Sequence, residues 1–174
     1  MDLSPLSTDA LRPSAPRRLV FGALLIAIAL NLLPWSGMAL LLKPDFLLLV
    51  IVYWAVHESR RVGQTWGFIL GLVMDVADSA LLGQHALMYV LAIFLTQLLR
   101  IRILHLSMAE QALHVLGILF VAQSVYLLLN LSLGREFIGW GFIVAPVLGA
   151  LLWIPVDMLA TLPRFRQRGR SLLG

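Results

Sequence analysis

Six apolar stretches, joined by short connections that carry most of the charge, run through this 174-residue chain. Hydrophobic residues make up 60% of the sequence and charged residues 13%, which leaves too few polar side chains to cover a soluble protein. The lipid bilayer is therefore the expected solvent, and helices are expected because they satisfy every backbone polar group internally. The sequence predicts an all-α polytopic membrane protein, a six-span helical bundle with spans at 19–33, 46–56, 62–76, 86–99, 113–131 and 137–162.

The positive charges divide unequally between the two sides that six spans define. Of the 13 Lys and Arg residues, Lys43 and Arg135 fall on one side and the other eleven on the opposite side. Because cytoplasmic loops are enriched in Lys and Arg, both termini are predicted to be cytoplasmic in an inner-membrane-type protein. The second and third spans are shorter than the roughly 20 residues of an upright crossing, so a hairpin that does not fully cross stays open as an alternative.

Three segments follow from this reading. Residues 1–18 are predicted to be a flexible cytoplasmic tail, 19–162 the transmembrane domain, and 163–174 a basic cytoplasmic tail. The last tail carries four arginines that are expected to set topology and to attract anionic lipid, with a docking site for a cytoplasmic partner as the alternative: Arg164, Arg166, Arg168 and Arg170. The basic residues lie in short clusters at span ends rather than on a soluble face, so no nucleic acid is expected.

Small residues recur at helical spacing on two of the predicted spans. Gly63, Gly67 and Gly71 lie every fourth residue, and on the first span Ala23 and Ala27 form a shorter pair. Such residues let a second helix approach closely in lipid. Packing within the bundle is the simpler interpretation of the glycines, and contact with a partner or self-association is the alternative.

Three polar residues and one proline at or near span ends are candidates for function. Asn31 continues the face of Ala23 and Ala27 and can form a hydrogen bond across helices. Pro44 and Asp45 are typical of a helix start, with proline in the first turn and a carboxylate beside the positive end of the helix dipole. Asp75 continues the glycine spacing, and a carboxylate near a membrane is costly enough to indicate function, including contact with a partner; a water-exposed helix end is the alternative.

Catalytic and metal-binding chemistry is not predicted. The chain has no cysteine, and its four histidines lie on different connections without the spacing of metal ligands. Ser79, His85 and Asp75 or Asp78 imitate a hydrolase triad, but no nucleophile elbow surrounds the serine. We therefore expect no enzyme and no cofactor. The aromatic residues, mostly near span ends, are expected to form an interfacial belt: Trp35, Tyr53, Trp54, Trp66, Tyr89, Trp140 and Trp153.

An ordered set of short motifs resembles a known family. The motifs are Pro44-Asp45-Phe46-Leu47, Val52-Tyr53-Trp54, Gly67-Phe68-Ile69-Leu70-Gly71-Leu72 with Asp75, Leu82-Gly83 and Ala86-Leu87. Together with the length, the span count and the basic tail, they resemble the MreD family of rod shape-determining proteins. The resemblance covers essentially the whole membrane domain.

The resemblance implies a non-enzymatic membrane component of the bacterial cell-elongation machinery. Members of the family associate with the single-span protein MreC, and through it with MreB filaments, the glycosyltransferase RodA and its partner transpeptidase. Their bundle is similar to the substrate-binding subunits of energy-coupling-factor transporters. A small-molecule-binding transport subunit is therefore the alternative function, and it would need a polar pocket on the outer side.

Overall fold

The computed structural model describes residues 15–135 and 139–171, with the backbone alone at 41 and 161–171. Seven helices and no strand are present in these ranges, which confirms the all-α prediction for them. The helices are α1 (Arg17–Leu32), α2 (Met38–Leu41), α3 (Phe46–His57), α4 (Gln64–Ala77), α5 (Gln84–Leu104), α6 (Met108–Ser132) and α7 (Gly141–Ser171).

Each predicted span coincides with one helix to within a few residues, except that α7 is longer than predicted. α7 continues through 163–171, the range that was predicted to be a separate tail. The one-turn helix α2 was not predicted. Most of the predicted N-terminal tail, residues 1–14, lies outside the described residues, and α1 begins at Arg17.

Among the described residues, three helices are long and apolar enough to cross a membrane: α5, α6 and the part of α7 at Gly141–Ala160. α1 has 16 residues, α3 has 12 and α4 has 14, below the roughly 20 residues of an upright span. The lengths and compositions support a helical membrane protein. The count of six complete crossings stays a prediction.

The centre of the bundle is α3. Its sequence is apolar on every side, and nine of its 12 residues are buried, as expected for a helix surrounded by others. α3 contacts α1, α5 and α7, while α4, α5, α6 and α7 pack as successive neighbours. Short connections join these neighbours, so the helices alternate in direction.

The alternating helices give the bundle two chemically different ends. The basic end holds the starts of α1, α4 and α6 and the ends of α3 and α5, with Arg17, Arg18, Arg60, Arg61, Arg100 and Arg102. There Ala15 joins the α3–α4 connection, because its N–H donates to Glu58 and its carbonyl accepts from Arg61. Arg100 Nε donates to the carbonyl of Val56 at 2.7 Å, which links the end of α5 to the end of α3.

The expected interfacial belt is only partly observed. Tyr53, Trp54, Tyr89 and Trp153 are at most 1% exposed and lie inside the bundle, so the prediction is wrong for these four residues. Neighbouring helices cover most of α3, so its aromatic side chains are buried inside the bundle rather than placed at the lipid interface. Trp140, 80% exposed, agrees with a position in the belt.

Candidate functional site at the polar end

The end of the bundle opposite the arginines, which we call the polar end, gathers side chains from five helices. It contains the ends of α1, α4 and α6 and the starts of α3 and α5. Its hydrogen-bonding side chains are Asn31, Lys43, Asp45, Asp75, Gln84, His85, Tyr89 and Asn130. The ring of Tyr126 contacts that of His85. Four of these positions, at residues 31, 45, 75 and 130, are separated by long stretches of chain and are brought together only by the fold.

Asp45 starts α3 and links it to α1. Its Oδ1 accepts from the N–H of Leu48 at 2.9 Å, the contact of an N-cap carboxylate. Asn31 Nδ2 donates to the same oxygen at 2.9 Å, and the N–H of Phe46 donates to Asn31 Oδ1 at 3.0 Å. Pro44 was expected in the first turn but precedes the cap, because the helix begins at Phe46.

Tyr89 of α5 completes the environment of Asp45. Its hydroxyl lies 2.9 Å from Oδ2 and 3.1 Å from Oδ1 of the carboxylate, and the tyrosine is fully buried. A charge-assisted hydrogen bond of this kind is stronger than one between neutral groups. One carboxylate therefore ties the end of α1, the start of α3 and the first turns of α5 together.

Asp75, at the end of α4, binds the connection between α4 and α5 and the start of α5. The carboxylate is 0% exposed, and it accepts from the N–H groups of Gly83 and His85, both at 2.7 Å. The ring Nδ1 of His85 lies 2.9 Å from Asp75 Oδ1, so we place the ring proton on Nδ1. Gly83 has a φ of +103°, which glycine adopts without strain. The carboxylate therefore stabilises this turn and the first residues of α5.

His85 stands between two carboxylates. Its Nε2 lies 3.6 Å from Asp78 Oδ2, on the side opposite Asp75. The Asp78 side chain is 43% exposed, whereas that of Asp75 is buried. The row Asp75, His85 and Asp78 thus runs from the interior to the surface. Ser79, the nucleophile of the imitated triad, has a φ of +51° in the same turn.

Two glycines of α4 allow α5 to approach closely. A Cβ added to Gly71 would lie 2.5 Å from the backbone nitrogen of Ala86, and one added to Gly67 would lie 2.5 Å from Cδ1 of Ile93. Gly63 differs from the prediction, because it is the N-cap of α4 and its added Cβ would have no atom within 4 Å. The close approach therefore involves the second and third glycines.

A small cavity of about 130 Å³ opens at the polar end. Polar side chains lining it include those of Asn31, Lys43, Asp45, Asp78, His85, Gln123 and Tyr126. Several of them already bind one another: Asn31 donates to Asp45, and the carbonyl of Asn31 accepts from Lys43 Nζ at 2.7 Å. The cavity is polar but mostly built from groups that join helices.

Sequence reasoning identified the two carboxylates and Asn31, which donates to Asp45, but not the other partners. Gln84 and Asn130 are buried, and the amide of Gln84 lies 3.5 Å from Asn130 Oδ1, which links α5 to α6. His85 and Tyr89 were read as a scattered histidine and a belt aromatic. The sequence signal that could have indicated the pairing of Asp75 with His85 was the turn at Gly83, because a short turn places the first residues of α5 beside the last turn of α4.

A second buried polar group lies nearer the basic end, between α3 and α7. The hydroxyl of Tyr53 donates to Asp157 Oδ1 at 3.1 Å, and His57 Nε2 lies 3.6 Å from the same oxygen. On α6, Gln111 Oε1 accepts from the indole N–H of Trp153 at 3.3 Å. Tyr53, a candidate from the sequence, therefore belongs to the α3–α7 contact, and the adjacent candidate Trp54 is buried in the bundle.

The other candidates lie outside the polar end. Ala27 is buried and Ala23 partly buried on α1, whose neighbour is α3. The four C-terminal arginines fall on the last turns of α7, where only the backbone is described.

Most of the sequence is similar to that of one protein family. A family model described as rod shape-determining protein MreD matches residues 17–162. The rod shape-determining protein MreD of Haemophilus influenzae is 32% identical over 134 residues, which cover 77% of this chain and 83% of the relative. No solved structure matches the chain.

Proposed function

The chain belongs to the MreD family of rod shape-determining proteins, and we propose that it serves rod shape as a non-enzymatic membrane scaffold that binds MreC. Through MreC it would hold MreB, RodA and the partner transpeptidase in one elongation complex that organises peptidoglycan synthesis. The proposed location is the bacterial inner membrane, with the basic end of the bundle and both termini in the cytoplasm.

The main support for this proposal is that the buried polar side chains bind one another and the helix ends. Asp45 and Asp75 together accept six of the hydrogen bonds described above, from backbone N–H groups and from Asn31, Tyr89 and His85. The two carboxylates thus stabilise helix ends, and their oxygens are already occupied by contacts within the protein. A rigid end with a fixed arrangement of helices is what a scaffold requires, because a preformed surface binds a partner at little entropic cost.

The transport-subunit alternative has less support. Pockets for small molecules usually measure about 300–1,000 Å³ and combine apolar walls with a few polar groups that face the ligand. The polar cavity measures about 130 Å³, and Asn31 and Asp45 in its wall are bonded to each other. A vitamin-sized molecule would have to break these links in order to enter.

Asp78 is the best probe of a direct contact with MreC. Its side chain is exposed beside the cavity, 3.6 Å from His85 Nε2, so Asp78→Asn removes a surface charge and leaves the hydrogen bonds of Asp45 and Asp75 in place. Loss of a charged contact at an interface commonly costs about 2 kcal/mol or more, roughly a thirtyfold weaker complex. Asp9→Asn makes the same chemical change in the predicted cytoplasmic tail and serves as the matched control.

The experiment compares recovery of MreC with each variant purified from native membranes, alongside cell shape. We expect Asp78→Asn to reach normal levels in the membrane, to recover less MreC and to produce rounded cells, while Asp9→Asn matches the unmodified protein. Normal recovery of MreC and normal rod shape with Asp78→Asn would show that Asp78 does not contribute to the contact with MreC. Failure of the unmodified protein to recover MreC, together with a tightly bound vitamin in the same sample, would reverse the order of the two functions.

A further inference from the structure

An apolar groove on the surface of the bundle runs between α1, α3 and α7. It encloses about 340 Å³, and its walls include Leu19, Ala23 and Leu30 of α1, Val50 of α3 and Leu159 of α7. The hydroxyl of Tyr53, whose ring also lines the groove, points away from it to Asp157. The small side chains of α1 leave this space open.

The groove has the length of one leaflet rather than of the whole bilayer. Along α1 it extends from Leu19 to Leu30, about 17 Å at 1.5 Å per residue. Half of the hydrocarbon core of a bilayer is about 15 Å thick, whereas a transmembrane helix packs along about 30 Å. The dimensions therefore fit one extended hydrocarbon chain better than a partner helix.

One end of the groove is positively charged. Arg17 and Arg18 are exposed in the first turn of α1, directly before Leu19. Glu58 lies nearby, but it is 3.9 Å from Arg61 and accepts from the N–H of Ala15. Exposed arginines beside the start of a leaflet-length groove are complementary to a phosphate at the lipid interface.

The groove is also continuous with surface that faces lipid. Ile26 of α1 and Leu159 of α7 border it and are 64% and 68% exposed, as expected for side chains that meet acyl chains. We propose that the groove binds one acyl chain of an anionic phospholipid, whose headgroup phosphate contacts Arg17 and Arg18. The lipid belongs to the leaflet in which α1 begins, and it fills the space between α1 and α7.

The test counts retained lipid by native mass spectrometry after the protein has been taken from vesicles of equal phosphatidylglycerol and phosphatidylcholine. The unmodified protein should retain one phosphatidylglycerol. Ala23→Phe places a ring in the groove and should lose that lipid. Ala29→Phe makes the same change on the exposed side of α1 and should retain it.

A second pair of variants tests the headgroup contact. The double variant Arg17→Gln and Arg18→Gln should lower the preference for phosphatidylglycerol about thirtyfold, because each near-surface arginine contributes roughly a factor of five. Arg102→Gln removes an exposed arginine from the same end of the bundle and should keep most of the preference. If circular dichroism shows that Ala23→Phe does not fold, the comparison of the double arginine variant with Arg102→Gln still tests whether the lipid binds at this groove.

Three results would overturn the proposal. The first is equal retention of phosphatidylglycerol by Ala23→Phe and Ala29→Phe. The second is an unchanged lipid preference in the double arginine variant. The third is occupation of the groove by a second copy of the chain, seen as a dimer that Ala23→Phe dissociates.

Discussion

Replacing Gly71 with alanine tests the contact between α4 and α5 with the smallest possible change. The added Cβ would lie 2.5 Å from the nitrogen of Ala86 and 2.8 Å from the carbonyl carbon of His85. Both are backbone atoms at the start of α5, so neither can rotate away. α4 must therefore move outward, and this movement lengthens the hydrogen bonds from Gly83 and His85 to Asp75, both 2.7 Å.

The expected cost follows from two opposing effects. Overpacking in a tight core costs about 1–3 kcal/mol, and the backbone contact places Gly71→Ala at the upper end of that range. Alanine in place of glycine in a helix gains about 1 kcal/mol. The net loss is about 2 kcal/mol, which lowers the midpoint of thermal unfolding by about 4–8 °C for a chain of this size.

The assay is thermal unfolding of the detergent-purified protein, with two other glycines for comparison. Gly67→Ala meets chiefly the flexible end of Ile93 and should cost less, while Gly117→Ala on α6 has no atom within 4 Å and should raise the midpoint slightly. The order of stability should be Gly117→Ala, Gly67→Ala, Gly71→Ala. A Gly71→Ala protein as stable as Gly117→Ala would refute the close approach.

Three further predictions concern the ends of the helices. Tyr89→Phe removes the hydroxyl that donates to Asp45 and should cost about 1–2 kcal/mol in the same unfolding assay; an unchanged midpoint would show that the hydrogen bond is not stabilising. Ser107→Ala removes the capping box that Ser107 forms with Glu110 at the start of α6 and should cost about 1 kcal/mol, measured in the same way. A reporter that is active only outside the cytoplasm should work when fused at Gly134 and fail at Ser107; activity at Ser107 would overturn the proposed orientation.

The positions of the helices could be predicted because apolar runs and their charged boundaries are local properties of the sequence. Asp45 could also be predicted as a helix start, since Pro44 and a carboxylate before an apolar run are a local signal. The resemblance to the MreD family, read from motifs between Pro44 and Leu87, is confirmed by the family match over residues 17–162.

The contacts of the site could not be predicted in the same way. The pairing of Asp75 with His85 depends on the turn at Gly83, and that of Asp45 with Tyr89 depends on how α3 and α5 pack. Both are tertiary contacts without a periodic signal. The burial of Trp54 was missed for a related reason, because hydropathy cannot distinguish a helix inside a bundle from one against lipid.

The enclosure of α3 has a consequence for how the protein responds to membrane thickness. At 12 residues the helix is about 18 Å long, well below the roughly 30 Å of the hydrocarbon core. A helix of that length exposed to lipid would force the bilayer to thin around it. Because α1, α5 and α7 cover most of α3, protein rather than lipid meets most of its surface. The exposed faces of the longer α5, α6 and α7, together with those of α1 and α4, meet the lipid, so the bilayer adapts mainly to these helices and little to α3.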